Sequence, residues 1–360
     1  MGLPYITIGI PVFNGERFML ETLESAKEAI QAYVKNQISL DELVQDKQNH
    51  KNLFLEEIEI VVSNNASTDE TLAVCTNFKR QNPFIRMQVF SNKENLGFDK
   101  NVDLLFRYAS GKYVWTLGCG ETIHRESLIK IVNFCRVHNP LNLILNYTVY
   151  SESKLSITDE SMPILGNRLS CGSRDFKYPR YALALSSNVI KRRNWRELEG
   201  LPLITNGWVH VERVLHSIGK VKKALTGYIG DPCVTFYREI DGWYASPDAY
   251  KMHLLHLQIL KCSEKFGISD DIANKLINPL KYYPTYRAIA ESRRNGLTKN
   301  CRIARARIRI SLNGTSKLYA LIALNCPKNL LAGIGFIPRI HGFIIKYIDF
   351  LKYSRGNNFD

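Results

Sequence analysis

The sequence predicts an α/β fold in which a mostly parallel, Rossmann-like sheet carries helices on both faces. In the first 120 residues, short segments rich in β-branched and aromatic residues alternate with amphipathic segments. Such alternation is typical of parallel strands joined by right-handed helical crossovers. The hydrophobic share of 45% and the charged share of 23% are ordinary for a globular protein, so a sizeable core is expected.

Four strands are predicted in this part of the chain, with three helices between them. The predicted strands are Tyr5–Ile10, Ile58–Ser63, Arg86–Phe90 and Lys112–Leu117. The predicted helices are Glu16 to Tyr33, Thr68 to Arg80 and Phe98 to Tyr108. Further along, strands are predicted over Leu143–Tyr150 and Tyr181–Ile190. Since ligands of parallel sheets bind beyond the carboxyl ends of the strands, function is expected in the loops after the first four.

The positive charge of the chain is concentrated at its C-terminal end. Residues 281–360 contain 15 Lys or Arg and 3 acidic residues, so this part carries 15 − 3 = +12 of the total charge of +14. The predicted organisation is a first domain over residues 1–245 and a helical, basic and apolar extension over residues 246–360. Within the extension, Arg302, Arg305 and Arg309 fall on one helical stripe.

Two interpretations of this extension remain open. Basic amphipathic helices lie on anionic membrane surfaces, which would make the protein peripheral to a membrane. Alternatively, the helices pack on the chain's own first domain and expose a solvated charged face. Nucleic acid is not the expected partner, because the run from Arg302 to Arg309 lacks interleaved aromatic residues.

The cysteines and the first residues of the chain point to the cytoplasm. The eight cysteines are scattered without a Cys-x-x-Cys pair, which is typical of reduced thiols rather than of a zinc site or a disulfide framework. The first residues show no basic segment followed by an apolar stretch, so no secretory signal is expected.

The loops after the four predicted strands are rich in small polar residues. Each loop alone is a plausible turn or helix cap; Ser67 or Thr68, for example, could cap the helix that follows. Taken together and in order, four segments resemble glycosyltransferase family 2, and among its members the abequosyltransferase-like bacterial enzymes of O-antigen and capsule assembly. The matching segments are Ile8–Glu16, Glu59–Asp69, Asn95–Asn101 and Gly111–Leu117.

This resemblance implies a GT-A fold and a sugar-nucleotide donor. It implies that Phe13 forms the platform for the nucleobase and that Asn64, where the family has Asp, reads the base edge. An amide still offers both a donor and an acceptor to a base. The full set of implied donor-binding residues is Pro11, Phe13, Asn14, Glu16, Asn64, Ser67, Asp69, Asn95, Gly97, Lys100 and Asn101.

The resemblance also implies a divalent cation, Mg²⁺ or Mn²⁺, held by acidic residues of the fourth loop. This chain has Cys119, Gly120 and Glu121 where the family has a run of acids. A thiol is a poor ligand for these hard cations, which prefer oxygen. Glu121 is therefore the one metal ligand that we predict.

The general base is assigned to Glu212, in the segment where the family has a later acidic motif. His210, two residues away, would share its side if this segment were a strand. The alternative is a surface Glu on an amphipathic helix. Asp241 is a second candidate, and the neighbouring Trp243 and Tyr244 could stack on an acceptor sugar or pack in the core.

Two functions follow from these expectations. The first is an inverting transferase that moves a sugar from a nucleotide-sugar donor to a glycan or polyprenyl-linked acceptor at the cytoplasmic face of the membrane, in bacterial surface polysaccharide assembly. The second is a catalytically degenerate relative that binds a nucleotide sugar or a glycan-assembly partner, which the missing acids favour.

Overall fold

The structure is a computed structural model of the 360-residue chain. It describes residues 2–40, 52, 54–151, 156–158, 166–171, 182–197, 207–220, 224–238, 262, 265–269, 272–273 and 314–327. The chain forms two compact units, Met1–Ser246 with Cys262–Leu280, and Pro247–Lys261 with Lys281–Asp360. Because the first unit also takes in Cys262–Leu280, a domain boundary at residue 246 stays a prediction.

Strands and helices alternate through the first half of the described chain, as the sequence predicts. The strands are β1 Ile6–Val12, β2 Ile58–Asn64, β3 Arg86–Ser91, β4 Tyr113–Thr116, β5 Thr122–Ile123, β6 Asn142–Ser151, β7 Ser156–Thr158, β8 Arg168–Cys171, β9 Asn188–Lys191 and β10 Leu225–Arg238. The helices are α1 Glu16–Leu40, α2 Thr71–Gln81, α3 Phe98–Tyr108, α4 Ser127–His138, α5 Arg192–Arg196, α6 Val209–Lys220 and α7 Gly314–Asn325.

One mixed, mostly parallel sheet organises the first unit. Its strand order is β3-β2-β1-β4-β9-β6-β10-β5, with β7 beside β6 and β8 beside β10. Strands β3, β2, β1 and β4 are parallel, whereas β9 runs antiparallel to both β4 and β6. The predicted α/β fold with a mostly parallel sheet is confirmed.

Alternation along β1 explains why helices cover both faces of the sheet. Ile6, Ile8 and Ile10 are fully buried in the core that also contains the apolar face of α1. Gly9 points to the opposite face, where a Cβ would lie 2.7 Å from Leu105 Cδ2 of α3. Glycine at this position therefore lets α3 approach the strand closely.

Three local predictions need correction. Helix α2 begins at Thr71, and its N-cap position is Glu70, so neither Ser67 nor Thr68 caps it. Helix α1 continues past Tyr33 to Leu40. Most of the strand predicted over residues 181–190 is absent, because residues 185–187 form a 3₁₀ turn and only Asn188 onward is extended. Tertiary contacts hold this turn, since Trp115 Nε1 donates to Ser186 O over 2.8 Å.

Much of the second unit lies outside the described residues. This includes the arginine stripe of Arg302, Arg305 and Arg309, so the predicted basic extension stays a prediction there. Within the described part of the chain, no helix is both long and apolar enough to span a bilayer.

Candidate active site

The predicted functional loops meet at one edge of the sheet. Strands β3, β2, β1 and β4 are neighbours and parallel, so the loops that follow them emerge side by side at their carboxyl ends. Helix α6 is joined to this edge, as shown below. The candidate site is therefore built from four loops and one helix end.

The first and second loops hold each other by reciprocal hydrogen bonds. Asn14 N donates to Ser67 Oγ over 2.9 Å, and Asn14 Oδ1 accepts from Thr68 N over 2.9 Å. Glu16 N donates to Asp69 Oδ2 over 3.0 Å, and Glu16 Oε2 accepts from the backbone of the second loop, 2.7 Å from Glu70 N. Each loop thus satisfies backbone amides of the other, and the predicted donor-binding residues here fix the shape of the edge.

A network of amide side chains joins the second loop to the third. Asn65 donates through Nδ2 to Asn95 Oδ1 over 2.7 Å, and its Oδ1 accepts from Asn92 Nδ2 and from Leu96 N, each over 2.9 Å. Asn101 is buried and forms two hydrogen bonds with Ser63 of β2, since its Oδ1 accepts from Ser63 Oγ and its Nδ2 donates to Ser63 O. Asn95 and Asn101 therefore shape the third loop, and the sequence did not indicate the central position of Asn65.

The two residues predicted to bind the base differ in exposure. Phe13 stands at the end of β1 with 47% of its surface exposed, which leaves a ring face open to stacking. Asn64 is buried, and its Nδ2 donates to Ser91 Oγ over 3.1 Å while its Oδ1 accepts from Ser67 N over 3.1 Å. Because an amide has two donor hydrogens and two acceptor lone pairs, Asn64 keeps one of each.

The other predicted donor-binding residues also lie on these loops. Pro11 is buried in β1 beside β2, paired with Ser63. Gly97 has φ of 81°, a left-handed conformation that favours glycine, and stands directly before α3. Lys100 is exposed in the first turn of α3. All eleven residues are thus gathered at the carboxyl edge; whether they contact a donor stays a prediction.

The fourth loop turns its side chains inward. The Cys119 thiol lies 3.6 Å from Gly15 O, and burial raises its pKa to about 12. Glu121 accepts a hydrogen bond from Ser186 Oγ, which itself accepts from Gly118 N over 2.7 Å. Burial of the Glu121 carboxyl raises its pKa to about 7. The sequence could not indicate Ser186, which is 65 residues away from Glu121.

This loop does not supply the ligand set of a divalent cation. Glu121 is one carboxylate and is already bonded to Ser186, while Gly120 has no side chain. Among the described residues, no three His, Cys, Asp or Glu side chains lie together so that they could hold a metal ion. Since Mg²⁺ and Mn²⁺ prefer several oxygen ligands, the residues present do not fit the predicted cation site.

The segment with Glu212 and His210 is helical, so the expectation that they share one side of a strand is wrong. It begins α6, and residues two apart on a helix point in different directions. Both side chains are only 2% exposed, so Glu212 is not a surface residue either. Its assignment as general base stays a prediction.

Helix α6 is joined to the third loop by Asp99. The Asp99 carboxylate accepts from Gly207 N over 2.6 Å and from Val209 N over 2.9 Å, which satisfies backbone amides at the start of the helix. Burial raises the pKa of Asp99 to about 6. Asp99 lies in the segment quoted for the family resemblance, but its neighbours in sequence did not indicate this role.

His210 is held in an apolar setting beside the same edge. Its Nε2 lies 3.0 Å from Leu183 O, and the rings of Phe98 and Trp208 pack around it. Burial lowers its pKa to about 4, so the imidazole is neutral at pH 7. The alternative base, Asp241, and the two aromatic residues after it, Trp243 and Tyr244, lie outside the described residues.

Comparisons with known proteins agree with this architecture. The chain resembles S. aureus TarS 1-349 in complex with UDP-GlcNAc, with 14% identity, a TM-score of 0.58, and coverage of 91% of this chain and 92% of that one. The complex of the same protein with UDP is 14% identical, with a TM-score of 0.57 and coverage of 91% of this chain and 91% of that one. The mannosyltransferase PcManGT from Pyrobaculum calidifontis, in complex with GDP-Man and Mn²⁺, is 16% identical, with a TM-score of 0.50 and coverage of 91% of this chain and 88% of that one.

These likenesses establish the fold, which is GT-A. No curated protein sequence matches the chain. The family model described as Glycosyl transferase family 2 matches residues 7–184, which include the four segments at the carboxyl edge. Over residues 7–184, the chain is therefore similar to glycosyl transferase family 2.

Proposed function

We propose that the protein is a glycosyltransferase that transfers a sugar from a nucleotide-sugar donor to a glycan or a polyprenyl-linked acceptor. The observation that carries this proposal is the carboxyl edge itself, where loops joined by hydrogen bonds, in the segment that matches the family 2 model, present the exposed ring of Phe13. An exposed aromatic ring on loops that hydrogen bonds hold in place suits a flat base, because every base can stack on such a ring.

The donor class rests on the residues beside Phe13 and on the relatives. Asn64 keeps one donor hydrogen and one lone pair for the edge of a base. Related structures contain UDP, UDP-GlcNAc and GDP-Man, all of which join a nucleoside to a diphosphate. A nucleoside diphosphate sugar is therefore the donor class that we propose.

The chemistry proposed for transfer is inversion, with Glu212 as the general base that takes the proton of the acceptor hydroxyl. This role requires the carboxylate to come within hydrogen-bond reach of that hydroxyl. Glu212 lies in the first turn of α6, and Asp99 joins the start of this helix to the donor edge. For His210 we propose a supporting role, in which its neutral, buried ring holds the start of α6 through the contact with Leu183 O.

The biological setting that we propose is surface polysaccharide assembly, such as O-antigen or capsule, on the cytoplasmic face of a bacterial membrane. The net charge of +12 over residues 281–360 supports binding to an anionic lipid surface. Vesicles of anionic lipid should retain the protein at low salt and release part of it at high salt. A chain that ends at residue 280 and still binds the vesicles equally would contradict this assignment.

A binding and hydrolysis screen tests the proposed activity. The full chain is titrated with UDP-, GDP-, CDP- and dTDP-linked sugars, and release of the nucleotide is measured with and without Mn²⁺. We expect one donor to bind and to be hydrolysed slowly in the absence of an acceptor. Failure of every nucleotide sugar to bind would refute the proposal.

A second function is a catalytically degenerate family 2 protein that binds a nucleotide sugar or a glycan-assembly partner. The inward-turned residues of the fourth loop, Cys119 and Glu121, favour it. The same screen separates the two functions, because a degenerate protein binds a donor without releasing the nucleotide.

A further inference from the structure

We propose that this chain binds the diphosphate of its donor without a divalent cation, and that the guanidinium of Arg17 supplies positive charge beside the fourth loop. The inference rests on the proposed function, since it concerns how the same donor site meets the charge of the diphosphate. It follows from what each of the three fourth-loop residues does in the fold.

Cys119 is part of the packing between the fourth loop and α1. Its sulfur lies 3.6 Å from Gly15 O and 3.8 Å from Met19 Sδ, and a Cβ on Gly15 would lie only 2.6 Å from it. A sulfur atom packed against α1 in this way is a poor ligand for a hard cation, which prefers oxygen.

Gly120 has a conformation that disfavours any side chain. Its φ is 95°, which L residues rarely adopt, and its amide donates to Thr22 Oγ1 over 3.0 Å. The same hydroxyl donates to Glu121 O over 3.1 Å, so both residues are anchored to α1. An acidic residue at position 120 would strain this turn. The glycine is therefore required by the conformation of the loop, and it is more than the absence of an acidic side chain.

Glu121 is occupied by contacts within the protein. Its carboxylate lies over the backbone of Gly118, where a Cβ would be 3.0 Å from Glu121 Cδ, and it accepts from Ser186 Oγ. Gly118 N in turn donates to Ser186 Oγ. These contacts join the fourth loop to the 3₁₀ turn that contains Ser186, so the Glu121 carboxylate has a structural role within the fold.

Arg17 is the cation that the fold places next to this loop. It is exposed in the first turn of α1, and its guanidinium carbon lies 4.9 Å from the centroid of the Phe18 ring. The Phe18 side chain packs under the loop, 3.6 Å from where a Cβ of Gly120 would be. Among the residues that the structure describes, no carboxylate forms an ion pair with Arg17. Its guanidinium can therefore donate hydrogen bonds to phosphate oxygens.

Calorimetric titration of the full chain with UDP and GDP tests the first part of the proposal. Each titration is made in EDTA and again in Mn²⁺. We expect the affinity for the bound nucleotide to agree within about twofold in the two buffers. Affinity that falls more than tenfold in EDTA would overturn metal-free binding while leaving the proposed function intact. Absence of binding in both buffers would refute the proposed function, and this inference with it.

Substitution of Arg17 tests the second part. We expect Arg17→Ala to weaken binding of the diphosphate about tenfold in EDTA, since a hydrogen bond to a charged group is lost. Binding of the matching nucleoside, uridine or guanosine, should change less than twofold. Lys79→Ala is the matched control, because Lys79 is exposed in the last turn of α2, at the opposite edge of the sheet. Equal diphosphate affinity in Arg17→Ala and the wild type would overturn the role of Arg17.

Discussion

Replacing Glu121 by Gln should stabilise the protein above pH 7. The buried carboxyl has a pKa of about 7, whereas its ordinary value is 4.5. Below pH 4.5 the group is protonated in both the folded and the unfolded chain. As the pH rises from 4.5 to 7 the unfolded chain loses the proton first, so the free energy of unfolding of the wild type falls.

The size of this effect follows from the displacement of the pKa. At about 1.4 kcal/mol for each tenfold change in the protonation equilibrium, the ionised carboxylate costs the folded state about 3 kcal/mol above pH 7. Glu121→Gln removes that cost, because the amide stays neutral and keeps an oxygen for Ser186 Oγ. The free energy of unfolding of the variant, measured relative to that of the wild type, should therefore rise by about 3 kcal/mol between pH 4 and pH 8.

Urea unfolding followed by circular dichroism at pH 4, 6 and 8 measures this difference. Glu126→Gln is the control, because Glu126 is exposed five residues further on. The difference in the free energy of unfolding between this variant and the wild type should be nearly the same at the three pH values. A Glu121→Gln variant whose relative stability does not rise with pH would refute the reasoning. It would mean that the carboxylate is ionised and stabilised in the fold, as a metal ligand or a partner of a cation would be.

Two further predictions concern the start of α6. Asp99→Ala should lower the free energy of unfolding by about 2 kcal/mol, because Gly207 N and Val209 N lose their acceptor. The control is Lys100→Ala, on the exposed side of α3, which should change the free energy of unfolding by less than about 0.5 kcal/mol in the same urea assay. The His210 ring should stay neutral from pH 8 to pH 5 in NMR titrations. The free energy of unfolding should fall as the pH drops from 6.5 toward 4, because the unfolded chain takes up the proton first. A ring that titrates near pH 6.5 would contradict its burial.

The part of the fold that the sequence predicted is the part with strong local periodicity. Residues 98–108 were predicted as a helix and form α3 with the same bounds, because an apolar face and a preceding glycine coincide there. The first four strands were found within two residues at each end for the same reason. Buried strands between amphipathic helices leave few other arrangements of the chain.

The errors arose where a distant residue decides the local conformation. The sequence from Trp208 to Glu212 is compatible with a strand or with an amphipathic helix, and Asp99, 110 residues before Val209, satisfies the amides of a helix start there. The segment before Asn188 looked like a continuous strand, yet hydrogen bonds from Trp115 and Asn188 favour a turn. Asp99 and Trp115 are both too distant in sequence from the segments they hold to be part of a local pattern.

The candidate site was predicted in outline rather than in detail. The loops were identified correctly as neighbours, since parallel strands present their carboxyl ends together. Sequence alone assigned Asn14, Glu16, Ser67 and Asp69 to the ligand, whereas in the structure their polar atoms bond across the two loops. Pairwise contacts of this kind join residues more than 50 positions apart, so no local spacing reveals them.

The proposed function requires the carboxyl edge to bind a nucleotide through Phe13. The most direct measurement compares nucleotide affinity in Phe13→Ala and Phe84→Ala, whose aromatic rings are 47% and 43% exposed. Phe84 lies before β3, at the opposite edge of the sheet. Phe13→Ala should weaken binding by about 1 kcal/mol or more, the scale of a base stacked on an aromatic ring, and Phe84→Ala should leave it unchanged. Equal affinity in the two variants would contradict a nucleotide site at this edge.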